Sequence, residues 1–256
     1  MYKNIAVFAF FCFLFVSCSD SLRVMSYNVH HCRGVDDKID YARIAEVINR
    51  VSPDFVALQE LDSATARNNG KVCIDELAGE TGMFATYAST IKFGGGSYGI
   101  GLLSRDEPLS SCVVPLVSSG EARRLLVVEF EDYVACCTHF PLDENDRLSS
   151  AYIVCDALRG CKKPLFLVGD MNSSVDDPEQ QLLSVSFTIL NNPADATYPS
   201  VNPEECIDFI YSMNNGYTCK SRASEVMFAD SIASDHLPLY VDVEVSKNIF
   251  STLFSW

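Results

Sequence analysis

The segment Leu165-Phe166-Leu167-Val168-Gly169-Asp170-Met171-Asn172 contains the pattern on which the fold prediction depends. An unbroken apolar run of this length predicts a short strand that is buried on both faces, since a half-exposed strand would alternate polar and apolar residues. The strand then runs directly into an acid, Asp170, and an amide, Asn172. A buried strand with this ending predicts that functional polar residues lie at the edge of a sheet.

The same arrangement recurs along the chain. Apolar strands run into polar residues at Asn28, at Gln59-Glu60 and at His139, and Asp208 lies within another apolar strand. A further polar group, Ser234-Asp235-His236, precedes the last predicted strand. Carboxylates placed where buried strands emerge cost stability unless they are paired or bind a cation. The recurrence therefore predicts a single polar site built from distant parts of the chain.

The residue types indicate which ion such a site would hold. Several carboxylate and amide oxygens at one sheet edge suit a hard divalent cation, and Mg²⁺ is the first candidate because it binds one or two carboxylates and leaves positions for water and phosphate. Mn²⁺ or Ca²⁺ would use the same ligands. His139 and His236 suit proton transfer or phosphate contact better than a zinc site, for which a third nitrogen or sulfur ligand is missing.

Each polar group taken alone has a simpler interpretation. Glu60 could be a capping or surface carboxylate, and Asp170 could begin a turn. Asp208 is harder to explain in this way, because a buried aspartate needs a partner, and His236 is the candidate. Six such groups together favour an active site over six unrelated surface features.

Short apolar strands alternate with helical segments over most of the chain. Residues 41–51, for example, place Ile44, Val47, Ile48 and Val51 at helical spacing. Many strands with helices of moderate length predict an α/β fold in which two packed sheets are covered by helices. No repeat, low-complexity block or long linker divides the chain, so we expect one domain over residues 18–245.

Seven segments resemble the endonuclease/exonuclease/phosphatase superfamily, which includes deoxyribonucleases, neutral sphingomyelinases and inositol-polyphosphate 5-phosphatases. They occur in the family's order and span nearly the whole chain. The segments are Met25-Ser26-Tyr27-Asn28, Leu58-Gln59-Glu60-Leu61, Gly101-Leu102-Leu103-Ser104-Arg105, Thr138-His139-Phe140, Gly169-Asp170-Met171-Asn172, Ile207-Asp208-Phe209-Ile210 and Ser234-Asp235-His236-Leu237-Pro238. The resemblance implies a four-layer α/β sandwich, with two mixed sheets flanked by helices.

The resemblance also implies roles for individual residues. Asn28, Glu60 and Asp235 correspond to the metal site. Asp170 and Asn172 correspond to the pair that orients the attacking water and contacts the phosphate. His236 corresponds to the catalytic histidine and Asp208 to its partner, while His139 corresponds to a histidine near the scissile phosphate. Arg147 lies in the following helix, where relatives often carry an arginine, and is a candidate for substrate binding.

The charge balance bears on the substrate. With 19 basic and 34 acidic residues, the formal net charge is −15, and a field of that sign disfavours salt-driven binding of nucleic acid. The expected activity is therefore hydrolysis of a small phosphomonoester or phosphodiester, such as a sugar phosphate or a lipid head group. A secreted deoxyribonuclease-like nuclease and a non-catalytic binding module are the alternatives.

Substrate selection is expected in the loops, and two residues there are candidates for substrate binding. His31 follows the Asn28 strand, where it could line the pocket or be a solvated loop residue. Tyr198 could form a wall for the leaving group or belong to the core. Residues 92–99 are glycine-rich and predict a flexible loop beside the site.

The two ends of the chain carry signals of another kind. Residues 1–17 combine Lys3 with a short apolar run, and Leu14-Phe15-Val16-Ser17-Cys18 resembles a lipobox, so we expect a lipoprotein signal peptide. Lipidation of Cys18 would anchor an exported protein to the bacterial cell envelope; a plain secretory signal is the alternative. Residues 246–256 form an apolar tail that could dock on the domain, a membrane or a partner. The sequence leaves the oligomeric state open.

Overall fold

The computed structural model describes residues 20–247, which form two six-stranded sheets and four α-helices. The strands are β1 Asp20–Asn28, β2 Phe55–Ser63, β3 Phe84–Phe93, β4 Gly96–Ser104, β5 Ser110–Pro115, β6 Arg124–Glu129, β7 Val134–His139, β8 Leu165–Asp170, β9 Phe187–Ile189, β10 Asp208–Met213, β11 Tyr217–Val226 and β12 Leu239–Lys247. The helices are α1 Tyr41–Val51, α2 Cys73–Thr81, α3 Glu144–Leu158 and α4 Pro178–Ser184.

Each sheet has one parallel pair of strands at its centre. The first sheet has the order β11-β12-β1-β2-β4-β3, with β1 parallel to β2. The second has the order β5-β6-β7-β8-β10-β9, with β7 parallel to β8. Because the carboxyl ends of parallel neighbours meet at the same sheet edge, each pair brings two chain segments with polar ends together.

The layers follow from the alternation of side chains along the strands. Between the sheets lies one apolar core, to which both contribute large side chains such as Phe55, Leu102, Phe166 and Ile210. The outer face of the first sheet packs against α1 and α2, and that of the second against α3 and α4. Cys136 and Cys137 show the alternation, since Cys136 lies in the outer core and Cys137 between the sheets. The predicted four-layer α/β sandwich is confirmed.

The segment predicted as a flexible loop at residues 92–99 is instead the end of a hairpin. Strands β3 and β4 pair through Phe93 and Gly96, and only Gly94 and Gly95 connect them. Both glycines have positive φ, at 54° and 87°, which a tight two-residue hairpin turn requires. Gly94 and Gly95 therefore form the turn, and the residues on either side of them remain paired in the two strands.

Several elements carry no clear apolar pattern and were not predicted. The edge strand β11 has mostly half-exposed or exposed side chains, and α4 and β9 are short. Strand β12 continues to Lys247, two residues beyond the predicted domain end. The predicted signal peptide, Cys18 and the rest of the apolar tail lie outside the described residues. Within residues 20–247, no helix has the length and hydropathy needed to cross a bilayer.

Candidate active site

The polar strand ends converge on one cavity of about 390 Å³ between the edges of the two sheets. In one parallel pair His139 lies opposite Asp170, and both line the cavity. In the other pair Asn28 lies opposite Gln59, which directly precedes the lining residue Glu60. The lining residues are Glu60, Tyr98, Glu121, Arg123, His139, Leu142, Asp170, Asn172, Tyr198, Glu205, Ile207, Asp235 and His236.

Asn28 lies at the centre of the polar network. Its Nδ2 donates to Glu60 Oε1 and to Asp170 Oδ2, each at 3.1 Å, and lies 3.5 Å from His236 Nε2. These residues come from β1, β2, β8 and the segment before β12, up to 208 positions apart in the chain. A single buried amide thus links the predicted metal site to the predicted catalytic residues.

Glu60 reaches the cavity because the β2 ladder is irregular at this point. The register between β2 and β4 shifts between Leu58 and Leu61, which is a β-bulge, and Glu60 has a φ of 62°. Bulges re-aim side chains and are common next to active sites. The bulge turns the Glu60 side chain out of the sheet toward Asn28.

The position of Asp170 depends on the preceding residue, Gly169. A Cβ atom on Gly169 would lie 2.0 Å from the carbonyl oxygen of Thr138 on the neighbouring strand, so only glycine permits this approach of β8 to β7. Asp170 itself is 1% exposed, and its Oδ2 lies 3.4 Å from His139 Nε2 and 3.7 Å from His236 Nε2. Burial, with a further contribution from Asp208, raises the pKa of Asp170 to about 7, although His236 opposes the shift.

Asp208 and His236 form a buried pair. Strand β10 runs antiparallel to β8 and begins beside the end of β8, with Asp208 opposite Asp170. His236 Nδ1 lies 2.9 Å from Asp208 Oδ2, which also accepts a hydrogen bond from Thr197 Oγ1 at 2.6 Å. Burial disfavours the charged ring, but Asp208 and Asp170 outweigh it and raise the pKa of His236 to about 10. The ring is therefore a cation held by two acids.

We expect Asp208→Asn to remove most of the pH dependence that His236 gives to stability. The folded-state pKa of about 10 exceeds the unfolded value of about 6.5, so this stabilisation is complete below pH 6.5 and declines as the pH rises toward 10. Melting temperatures of wild type and Asp208→Asn, measured from pH 6 to 10 with a chelator present, should show the decline only in the wild type. Parallel curves would contradict the assignment.

His139 and Arg123 also line the cavity. Arg123 Nη1 lies 3.4 Å from His139 Nδ1, and the same guanidinium pairs with Glu121. Burial, together with Arg123 and His236, lowers the pKa of His139 well below its usual value, so this ring is neutral. Arg123 and Glu121 were not predicted as site residues. The pairing of β6 with β7 could have predicted Arg123. The two strands are antiparallel, so the residue before β6 lies near the end of β7.

The remaining predicted residues on the cavity wall are Asn172, Asp235 and Tyr198. Asn172 has a φ of 49°, donates its backbone N–H to Asp170 Oδ1 at 2.9 Å and its side-chain Nδ2 to the Phe140 carbonyl at 2.8 Å. Asp235 Oδ1 accepts from Ser234 Oγ at 3.3 Å. The Tyr198 ring is 4.7 Å from the His236 ring, centroid to centroid. Their catalytic or binding roles stay predictions.

His31 does not line this cavity. Its side chain is buried behind Glu60, and burial, with a smaller effect of Arg67, lowers the pKa of its ring to about 4. His30, the residue before it, lies closer to the site, with its Nδ1 3.8 Å from Asp235 Oδ1.

Arg147 does not reach the cavity, so the structure does not support the substrate-binding role predicted for it. Its guanidinium pairs with the fully buried Glu179 of α4, lies 3.8 Å from Asp177 and donates to the Leu142 carbonyl at 2.7 Å. These partners use the charge of Arg147 to join α3 to α4. Sequence position alone could not separate this role from a binding role.

We expect Arg147→Ala to reduce stability rather than catalysis. The substitution leaves the buried Glu179 without its cation, which typically costs about 3–5 kcal/mol. Urea denaturation should show this loss, while kcat/KM of the folded fraction stays near the wild-type value. Arg159→Ala is the matched control, because Arg159 forms an exposed ion pair with Asp156 at the end of the same helix. A change in KM without a loss of stability would restore the binding role.

The donor set fits a hard divalent cation. Glu60, Asp170 and Asp235 bring carboxylates to one cavity, and the Asn28 amide lies between two of them. Burial is the main cause of the raised pKa of Asp170, and a bound cation would oppose it by favouring the charged carboxylate. Magnesium prefers such oxygen ligands.

Comparison with known proteins agrees with this arrangement. Residues 25–236 match the model of the Endonuclease/Exonuclease/phosphatase family. No curated protein is a significant match to the chain. Solved structures with the same fold include an endonuclease/exonuclease/phosphatase from Beutenbergia cavernae DSM 12333, with 23% identity, a TM-score of 0.75 and coverage of 88% of this chain and 72% of that one.

Two Bacteroides structures are also similar. An endonuclease/exonuclease/phosphatase from Bacteroides vulgatus has 18% identity and a TM-score of 0.71, covering 89% of this chain and all of the other. A mannosyl-6-phosphatase from Bacteroides thetaiotaomicron VPI-5482 has 15% identity and a TM-score of 0.69, covering 87% of this chain and 99% of the other. The family match spans most of the chain and all the segments that build the cavity, so the protein belongs to the endonuclease/exonuclease/phosphatase family.

Proposed function

We propose that the protein is a divalent-metal-dependent phosphoesterase that hydrolyses a small phosphomonoester or phosphodiester by in-line attack of water. The observation that carries the proposal is the polar network of Asn28, Glu60, Asp170, Asp208 and His236, in which the Asp208–His236 pair lies at 2.9 Å. Glu60, Asp170 and His236 of this network line the cavity. Mg²⁺ is the proposed cation, held by Asn28, Glu60 and Asp235.

The residues divide the reaction between them. A bound divalent cation would neutralise charge on the phosphate. Asp170 accepts the proton of the attacking water, a role that a pKa near neutral suits. His236, charged and oriented by Asp208, donates a hydrogen bond or a proton as negative charge develops. His139, Arg123 and Asn172 also line the cavity, and their proposed role is to contact the phosphate oxygens.

The cavity favours a small substrate. Its volume of about 390 Å³ is in the range of sites for small molecules. Three glutamates and two aspartates line it, and Arg123 is the only arginine or lysine among the lining residues. A duplex nucleic acid would need a longer basic surface. Sugar phosphates and lipid head groups are the first classes to test, and the fold similarity to a mannosyl-6-phosphatase makes hexose 6-phosphates a reasonable starting point.

The cellular location is proposed from the sequence alone. The lipobox-like segment ending at Cys18 supports export and lipid anchoring at the bacterial cell envelope. Such a location would expose the cavity to phosphate esters outside the cytoplasm.

A substrate panel tests the proposal. The purified protein, with and without Mg²⁺ or Mn²⁺, would be offered hexose 6-phosphates, inositol phosphates, sphingomyelin, nitrophenyl phosphate mono- and diesters and plasmid DNA. His236→Ala serves as the control for contaminating phosphatases and should lose roughly 10²–10⁴-fold in turnover. Nicking of DNA alone would favour a nuclease. Inactivity on every class, with no cation binding, would favour a binding module.

A further inference from the structure

A second group of metal-ligating side chains lies beside the catalytic cavity. His30, His31 and Glu60 each offer one ligand atom, and the three atoms lie within 4.8 Å of one another. His30 and Glu60 also line a separate cavity of about 190 Å³, together with Arg67, Ile91, Phe93, Tyr98 and Glu121. Glu60 therefore belongs to both places, whereas the two histidines have no role in the proposed reaction.

The backbone brings the two imidazoles together in an unusual way. Adjacent residues in a strand point to opposite faces, so neighbouring side chains do not normally converge. Here His30, His31 and Cys32 all have positive φ, at 43°, 44° and 62°, which is uncommon for residues other than glycine. Asn28 Oδ1 accepts from the His30 N–H at 3.2 Å, and Asn68 Nδ2 donates to the His31 carbonyl at 3.2 Å, which holds the turn. The two rings consequently lie 4.7 Å apart.

The Nδ1 atom of each histidine lacks a hydrogen bond within the described residues. His31 is 4% exposed, and its Nδ1 is buried without a hydrogen bond. His30 Nδ1 is also buried without a hydrogen bond, and Asp235 Oδ1 at 3.8 Å is its nearest recorded acid. A buried polar atom without a hydrogen bond destabilises the folded state, and a bound cation would offset this by accepting the lone pairs of the imidazole nitrogens.

The local charges permit a cation. Arg67 and Arg33 are nearby positive groups, and each has an acidic partner. The Arg67 guanidinium makes two hydrogen bonds to the fully buried Asp62, at 2.6 and 2.7 Å, and lies over the Phe93 ring, while Arg33 pairs with Asp37. Asp235 borders the group through His30, and Glu121 lines the same small cavity. The acids thus outnumber the free positive charges around the three ligands.

We propose that His30, His31 and Glu60 form a second cation site, selective for a transition metal such as Zn²⁺. Two imidazoles and one carboxylate are ligands that zinc binds well, whereas Mg²⁺ prefers oxygen donors. Zinc ligands lie about 2.0–2.1 Å from the ion, so one ion can be shared by three ligand atoms that all lie within 4.8 Å of one another once their side chains adjust to it. Three protein ligands leave a fourth position open to water or a phosphate oxygen. The site does not depend on the proposed phosphoesterase activity.

Metal binding in the presence of excess Mg²⁺ tests the site. The full-length protein, freed of metal with a chelator and returned to Mg²⁺, is titrated with Zn²⁺ by calorimetry and with Co²⁺ by visible absorption. Wild type should bind one Zn²⁺ despite the Mg²⁺, and the Co²⁺ complex should show visible bands of nitrogen and oxygen coordination. His30→Gln and His31→Gln should each weaken binding by more than the roughly 10–100-fold that loss of an outer partner causes.

Two controls keep the test specific. His139→Gln removes a buried histidine of the neighbouring catalytic cavity that is not one of the three ligands, so it should leave Zn²⁺ affinity unchanged. His30 is only half-buried, so His30→Gln is the variant expected to fold normally, and melting curves would establish this. Equal affinity in wild type and His30→Gln, a loss in His139→Gln as large as in His30→Gln, or a thiolate-to-cobalt absorption band from the free cysteines would overturn the proposal.

Discussion

Asp170→Asn is expected to lower turnover by roughly 10²–10⁴-fold while leaving the protein folded. The substitution keeps the shape of the side chain, and its one remaining oxygen can accept either the hydrogen bond that Asn28 donates to Oδ2 or the one that the Asn172 backbone donates to Oδ1. What it removes is the carboxylate that takes the proton from the attacking water. Steady-state kinetics on the best substrate of the panel would measure the loss.

Stability supplies the second half of this test. Asp170 is buried opposite Asp208 in the β8–β10 ladder, and both burial and Asp208 oppose its ionisation. Neutralising the side chain should therefore leave the melting temperature in metal-free buffer unchanged or raised, as is common where a functional site carries unfavourable charge. Asp132→Asn, at an exposed turn, is the matched control and should change neither quantity. An active Asp170→Asn enzyme would rule out this residue as the base.

Glu60→Gln is expected to have the second-largest effect, through the affinity for the catalytic cation. The bulge in β2 aims Glu60 at Asn28, and no other carboxylate from the first sheet lines the catalytic cavity. Loss of its charge should weaken Mg²⁺ or Mn²⁺ binding by at least about 10-fold, so activity should fall at low metal concentration and recover in part at high concentration.

The measurement is the concentration of metal that gives half-maximal activity. A chelator should abolish wild-type activity, and added Mg²⁺ or Mn²⁺ should restore it. Glu204→Gln, an exposed glutamate, should show the wild-type metal requirement. If Glu60→Gln lowered the maximal rate without moving the metal requirement, Glu60 would be acting on the substrate rather than on the cation.

The expected defects of Glu60→Gln and Asp170→Asn can be told apart because they respond differently to added cation. Excess Mg²⁺ should partly rescue Glu60→Gln, whose defect is affinity. It should not rescue Asp170→Asn, whose defect is the missing proton acceptor. The pair of variants thus distinguishes the two roles within a network whose members are linked by one amide, that of Asn28.

The sequence by itself determined the layers of the fold and the chemistry of the site. Apolar runs such as Leu165–Val168 predict buried strands, and polar residues at the ends of such strands are expected at a sheet edge, because alternation and burial are local properties of the chain. For that reason Asn28, Glu60, His139, Asp170 and Asp235 could be placed near one another before any contact was known. The resemblance to a family supplied the rest of the predicted set.

The tertiary structure alone decided which arginine serves the site and where the neighbouring histidines lie. Arg147 and Arg123 are the same residue type, and no neighbouring residue in the sequence identifies the partner of either. Arg147 pairs with Glu179 because α3 packs on α4, whereas Arg123 reaches His139 because β6 runs antiparallel to β7. His30 and His31 converge only through left-handed backbone held by Asn28 and Asn68. Such choices depend on packing and strand register between segments far apart in the chain, which composition and periodicity do not encode.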